Sequence, residues 1–136
     1  MDLDAARQHV RENSHAVLVT MRKDGTPQTS PVGATVDDAG RVVVSSRETA
    51  YKVKNLRRDP RAWLCVLSDR FYGPWVQVEG TVGIVSLPEA MEPLVDYYRR
   101  IAGEHPDWDD YRSAMEREQR CLLRIELTRA GPDRSG

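Results

Sequence analysis

The chain has 136 residues, 40% of them hydrophobic, and its 20 Lys and Arg against 21 Asp and Glu leave a formal net charge of −1. That length suffices for one core but not for separate cofactor and substrate domains, so a single domain over 1–136 is expected. Near-neutrality argues against a nucleic-acid partner. The longest apolar run, Ala62 to Leu67, is far too short to span a bilayer, and the acidic opening Met1-Asp2-Leu3-Asp4 lacks the layout of a secretion signal, so a soluble cytoplasmic protein is expected.

Leu3, Ala6 and Val10 recur at helical spacing behind Asp2, which predicts an amphipathic helix within residues 1–13. From His15 the pattern turns to β. Ala16 to Met21, Pro27 to Val36 and Arg41 to Ser46 read as three strands joined by turns at Lys23-Asp24-Gly25 and Asp37-Asp38-Ala39-Gly40, an antiparallel meander. Thr49 to Arg58 predicts a short, mostly exposed helix anchored by Val53 and Leu56 and stopped at Asp59-Pro60. Two strands follow, Arg61 to Ser68 and Trp75 to Ser86, the second with Gly80 and Gly83 placed to let it bend. Pro88 to Ala102 predicts a helix kinked at Pro93, and Pro106-Asp107 opens another through Tyr111 and Met115. Cys121 to Thr128 alternates as a final strand before a polar tail at 129–136. Six strands with helices between the later ones predict a mainly β protein built as a small barrel.

Motifs for dinucleotides, nucleoside triphosphates, serine hydrolases and metal clusters are missing from the sequence. Cys65 and Cys121 sit in apolar strand runs and read as small hydrophobes, and His9, His15 and His105 read as surface or structural residues. Asp37-Asp38 and Asp109-Asp110 fall in a turn and a helix first turn, where acids have structural reasons to be. What stands out is Arg47 to Arg61: Arg47, Lys52, Lys54, Arg57, Arg58 and Arg61 face only Glu48 and Asp59, an excess of four positive charges. Ser45, Ser46 and Thr49 precede the predicted helix, so hydroxyls, free backbone N–H groups and Lys52 form a candidate monophosphate cradle. The charge run alone fits a solvated helix face equally well. Among the aromatics, Trp75 is the candidate for stacking on a planar ring.

Four blocks carry a family resemblance: Ala16-Val-Leu-Val-Thr-Met with Asp24-Gly-Thr-Pro-Gln-Thr-Ser-Pro-Val, Lys52-Val-Lys-Asn-Leu-Arg-Arg-Asp-Pro-Arg, Val78-Glu-Gly-Thr-Val, and Tyr98-Arg-Arg-Ile-Ala-Gly-Glu-His-Pro-Asp-Trp-Asp-Asp-Tyr-Arg-Ser-Ala-Met. From about His15 to Thr128 the sequence resembles the pyridoxamine 5′-phosphate oxidase-like split-barrel family, in particular its F420-dependent flavin/deazaflavin oxidoreductase branch. The resemblance implies a six-stranded antiparallel split β-barrel of the FMN-binding type. It implies a ring held against Gln28, Ser30, Pro31 and Val32, a phosphate or ribityl chain at Lys52 and Asn55 with Ser45 and Ser46 nearby, and Trp75 near the ring from the partner of a homodimer. At Ala50, relatives often carry an arginine, a departure that points to weaker cofactor affinity. The implied activity is hydride transfer from reduced coenzyme F420 to a conjugated small-molecule substrate, with the cofactor supplying the chemistry. The alternatives are an FMN flavoprotein of the same family, a carrier or sensor holding a deazaflavin, flavin or haem-related tetrapyrrole without turnover, and a barrel with no redox role.

Overall fold

The computed structural model describes residues 1–135. Within them the chain runs α1 (Leu3–Glu12), β1 (His15–Met21), β2 (Pro27–Gly33), β3 (Thr35–Val36), β4 (Val42–Arg47), α2 (Tyr51–Arg58), β5 (Arg61–Val66), β6 (Pro74–Val85), α3 (Met91–Ala102), α4 (Trp108–Arg117) and β7 (Arg120–Ser135). The seven strands form one antiparallel sheet in the order β2-β1-β5-β6-β7-β4-β3. Leu18 and Val36, from opposite ends of that order, share a single buried cluster with Val44, Leu64, Val78, Leu123 and Ile125, so the sheet curls around its own core into a split barrel.

The seventh strand comes from a division the sequence pattern hides. Pro27 to Val36 reads as one run, but Pro27–Gly33 pairs only with β1 at one edge of the sheet while Thr35–Val36 pairs only with β4 at the other. Ala34 between them is fully buried and donates its N–H to Ser14 O at 2.8 Å. One continuous run therefore crosses the split in the barrel.

Helices plug the barrel and cover one outer face. Asp2 caps α1 by accepting from Ala5 N–H at 2.7 Å, and Ala6 and Val10 enter the barrel core. Val53 and Leu56 of α2 enter the same core. Leu94 and Val95 of α3 and Tyr111 and Met115 of α4 pack with Val43 and Leu122 in a second cluster on the outside of β4 and β7. Pro93 introduces no interior break, because it occupies the third position of α3, where its missing N–H has no helical acceptor. The outer face of β1 and β5, with Val17, Val19, Trp63 and Cys65 half-buried, belongs to neither cluster.

Residues 129–135 are a further correction to the sequence reading. They continue β7 against β6, down to Ser135 opposite Pro74, so the polar stretch is strand and only residue 136 lies outside the described residues. Its largely polar side chains gave no alternating apolar pattern to read, because Ala130 alone among them packs against the core.

The two strand glycines differ. A Cβ on Gly80 would lie 2.1 Å from the Glu126 carbonyl oxygen, beside the bulge between Glu79 and Gly80, whereas a Cβ on Gly83 would meet open space. Gly80→Ala is expected to cost about 2–4 kcal/mol in chemical denaturation, because backbone cannot move aside, and Gly83→Ala under about 1 kcal/mol.

Candidate functional site

A groove of about 540 Å³ opens along the split, lined by Pro31, Val32 and Gly33 of β2, Ser45 of β4, Lys52 of α2, Tyr97 and Tyr98 of α3, His105, Asp110, Tyr111, Ala114 and Met115 of α4, Glu118, and Arg120 of β7, so two carboxylates share it with the two bases. Its cationic end is set by local structure. The N-cap of α2 is Ala50, which offers no side-chain acceptor, so the first-turn N–H groups lack the usual cap. Lys52, one residue into the helix, is partly buried and has no carboxylate partner among the described residues. Burial, and next the positive charge of Arg120, push its ammonium below the ordinary lysine pKa. An ammonium in that position is stabilised by any anion that enters.

Arg120 is held by Glu118, whose Oε1 accepts from Nε at 3.0 Å and from Nη2 at 2.8 Å, and Glu118 also pairs with Arg47 at 3.2 Å. Arg47 is thereby committed away from Lys52. The opposite wall is aromatic: the rings of Tyr98, His105, Trp108 and Tyr111 stand 5.0–5.7 Å apart, tilted or edge to face. His105 Nδ1 accepts from the Asp107 N–H at 2.9 Å, which fixes the ring at the start of α4.

At the split, the Tyr97 hydroxyl donates to Gly33 O at 2.8 Å and lies in the same groove wall as Ser45, bringing β2 and β4 together where the sheet makes no ladder. Burial pushes its pKa up. A Cβ on Gly33 would sit 3.0 Å from this hydroxyl, so the bridge needs glycine or a small shift of the ring.

The residues singled out from sequence divide. Pro31, Val32, Ser45 and Lys52 line this groove. Ser30 lies between its neighbours on β2 with Oγ buried and without a partner. Ser46 points the other way: it is 1% exposed, with Oγ donating to Arg47 O at 3.2 Å. Asn55 is buried and ties α2 to β1, its Nδ2 donating to Thr20 Oγ1 at 3.1 Å, while Thr20 in turn donates to Gln28 Oε1 at 3.4 Å. Gln28 and Asn55 instead line a neighbouring groove on the other side of α2. Trp75 does not line this groove: its neighbour Val76 is in register with Val32 through Val66 and Ala16, which puts it three strand spacings, roughly 15 Å, from that wall. Tyr97, Tyr98, His105, Tyr111 and Arg120 went unread because their packing patterns gave each an adequate structural reason.

Residues 3–131 match the family profile described as pyridoxamine 5′-phosphate oxidase. Among solved structures, a conserved hypothetical protein of Mycobacterium tuberculosis is 26% identical, with 96% of this chain aligned to 82% of that one at a TM-score of 0.76. An F420 reductase is 20% identical over 92% of this chain and 94% of its own, at a TM-score of 0.71. A pyridoxamine 5′-phosphate oxidase-related, FMN-binding protein of Nostoc punctiforme is 13% identical over 93% and 80%, at 0.65. The latter two likenesses speak to fold alone.

Tyr97→Phe removes the hydroxyl that bonds Gly33 O, and is expected to cost about 1–3 kcal/mol and to speed amide exchange around Gly33. Tyr111 supplies a pH test. Its hydroxyl donates to Leu94 O at 2.8 Å, and burial pushes its pKa from 10.0 up to about 12. The folded state then holds this proton more tightly than the unfolded chain, so its stabilisation is full below pH 10.0 and drains as pH rises through about 12. Denaturation midpoints should fall across that window, and less steeply in Tyr111→Phe.

Proposed function

The chain belongs to the pyridoxamine 5′-phosphate oxidase family, and from that premise we propose that it binds a flavin-type cofactor, coenzyme F420 ahead of FMN, in the groove along the split and transfers hydride from it to a conjugated small-molecule substrate. The observation that carries this reading is Lys52, a partly buried ammonium with no carboxylate partner, beside the uncapped start of α2 at one end of a groove that fits a planar ring. The preference for F420 over FMN rests on the sequence blocks that carry the resemblance, since the F420 reductase and the FMN-binding protein both share the fold alone with this chain.

The residues present suit such a group. Lys52 and the free first-turn amides of α2 supply charge and donors for a phosphate. Arg120 lies close enough to lower the Lys52 pKa, but its pairing with Glu118 offsets its charge, so it replaces only part of what an arginine at the Ala50 position would bring. Pro31 and Val32 offer one wall to a ring, and the Tyr98, His105 and Tyr111 cluster offers the other. When bound, a flavin or deazaflavin supplies the hydride; the protein then has to orient, exclude water and neutralise charge, and it needs no nucleophile or paired acid and base.

Two finer points belong to the same proposal. The uncovered outer face of β1 and β5, carrying Val17, Val19, Trp63 and Cys65, is the surface through which two chains pair as a homodimer. Trp75, which does not line the groove of its own chain, then serves the partner's.

Titration of purified protein with F420 and with FMN, followed by ring fluorescence, tests this directly. Lys52→Met should weaken the preferred cofactor by roughly 10- to 100-fold, the worth of one charge-assisted contact at about 1.5–3 kcal/mol. The cofactor-free variant should melt no lower than the parent, because the ammonium it removes is desolvated and unpaired. Preference for FMN would reassign the cofactor, and unchanged affinity in Lys52→Met would overturn the seat.

A further inference from the structure

On the other side of α2 lies a second groove, of about 410 Å³, between that helix and the β1–β2 hairpin. Arg22, Lys23, Lys54 and Arg58 line it together with Gln28, Tyr51 and Asn55, and no carboxylate is among its lining residues. The contrast with the rest of the same segment is informative. Arg57 is paired with Glu48 at 2.6 Å and Arg61 with Asp59 at 2.7 Å, so these two bases of the segment are neutralised within the fold, while Lys52 faces the first groove. None of the four groove bases has an ion-pair partner among the described residues.

Their positions are organised by neutral acceptors. Arg58 donates to Met21 O and to Asn55 Oδ1 at 3.3 Å, and Arg22 donates to Pro27 O at 3.0 Å and Thr26 Oγ1 at 3.3 Å. Carbonyls and a hydroxyl orient the two guanidinium groups without cancelling their charge, and leave other N–H donors of each unspent. Lys54 stands 5.8 Å above the Tyr51 ring. The nearby carboxylate of the hairpin, Asp24, is engaged by Thr26, accepting from its N–H at 3.0 Å and its hydroxyl at 2.6 Å. Four like charges converging on one concavity repel one another, and a ligand bearing several negative charges relieves this better than a monoanion.

We propose that this groove is a binding site for a small polyanion, a molecule carrying two or more phosphate or carboxylate groups. A nucleic acid fits less well, since the bases are confined to one pocket of a chain whose net charge is −1. Because β2 lines this groove at Gln28 and the first groove at Pro31, the anionic groups belong either to the outer end of a molecule seated in the first groove or to a separate ligand.

Calorimetric titration of the cofactor-free protein at low ionic strength, with inorganic pyrophosphate and with citrate as probes, decides the matter. One pyrophosphate or one citrate should bind per chain. Lys23→Gln/Lys54→Gln should weaken it at least tenfold, while Arg117→Gln/Arg129→Gln, an equal change in net charge elsewhere, and Lys52→Met should each stay within twofold. No saturable binding of either probe, or equal losses in the two double variants, would overturn the site. A loss confined to Lys52→Met would place the anion in the first groove instead. Repeating the titration after loading with F420 or FMN separates the sources: competition assigns the anionic groups to the cofactor's outer end and independent binding to a separate ligand, and either upholds the site. Cofactor affinity lost in Lys52→Met with pyrophosphate binding intact would keep this site apart from the fate of the cofactor reading.

Discussion

The Tyr97 hydroxyl, donating to Gly33 O at 2.8 Å beside Ser45 of β4, stands where β2 and β4 come together without pairing. A curled sheet that stopped there would leave two open edges, and open edges are prone to pair with other chains. A side chain from α3 closes the gap at one point and leaves the rest of the split as a groove. The packing of α3 on β4 and β7 through Leu94, Val43 and Leu122 therefore has a second effect, since it holds the phenol that keeps the two walls at their spacing.

The distribution of charge follows a related logic. A chain with nearly equal acids and bases can neutralise most of them locally, and Arg47, Arg57, Arg61, Arg100 and Arg120 are all tied to carboxylates. Exposed pairs of this kind contribute little stability each, so their larger consequence is spatial: they quench the positive field everywhere except at the bases left over. Lys52 on one side of α2, and Lys54 and Arg58 on the other, are left over at concave surfaces. An eight-residue helix that looks in sequence like a generic basic face thus divides its unpaired bases between two grooves, while its Arg57 is tied to Glu48.

Much of the fold was legible because burial in a curled sheet writes a period of two into the chain, as in Leu18, Leu64, Val76, Val78, Leu123 and Ile125. Two features were not. The break at Ala34 leaves no trace in a pattern that stays apolar across it, since both halves face the same core. The strand from Arg129 to Ser135 is mostly polar, with Ala130 alone among its residues packed against the core, too little for a readable alternation. In the site, Lys52 was legible because an unusual charge excess drew attention to it, and Pro31 and Val32 through the family resemblance. Asn55 shows the limit of motif reading, because a residue named for ligand contact is satisfied within the fold by Thr20 and Arg58.

That role for Asn55 connects the two grooves. Its amide bonds Thr20 on β1 and Arg58 at the end of α2, and Thr20 continues the chain of bonds to Gln28 on β2, so three elements share one buried polar network. Such a network fixes position more than it adds stability, because each member is useful only while the others are in place. Here it sets the height of α2 against β2, and with it the place of Lys52 beside Pro31 and Val32 and of Lys54 beside Gln28. A motif residue at this position is explained by geometry transmitted to both binding surfaces, with no direct contact to a ligand required.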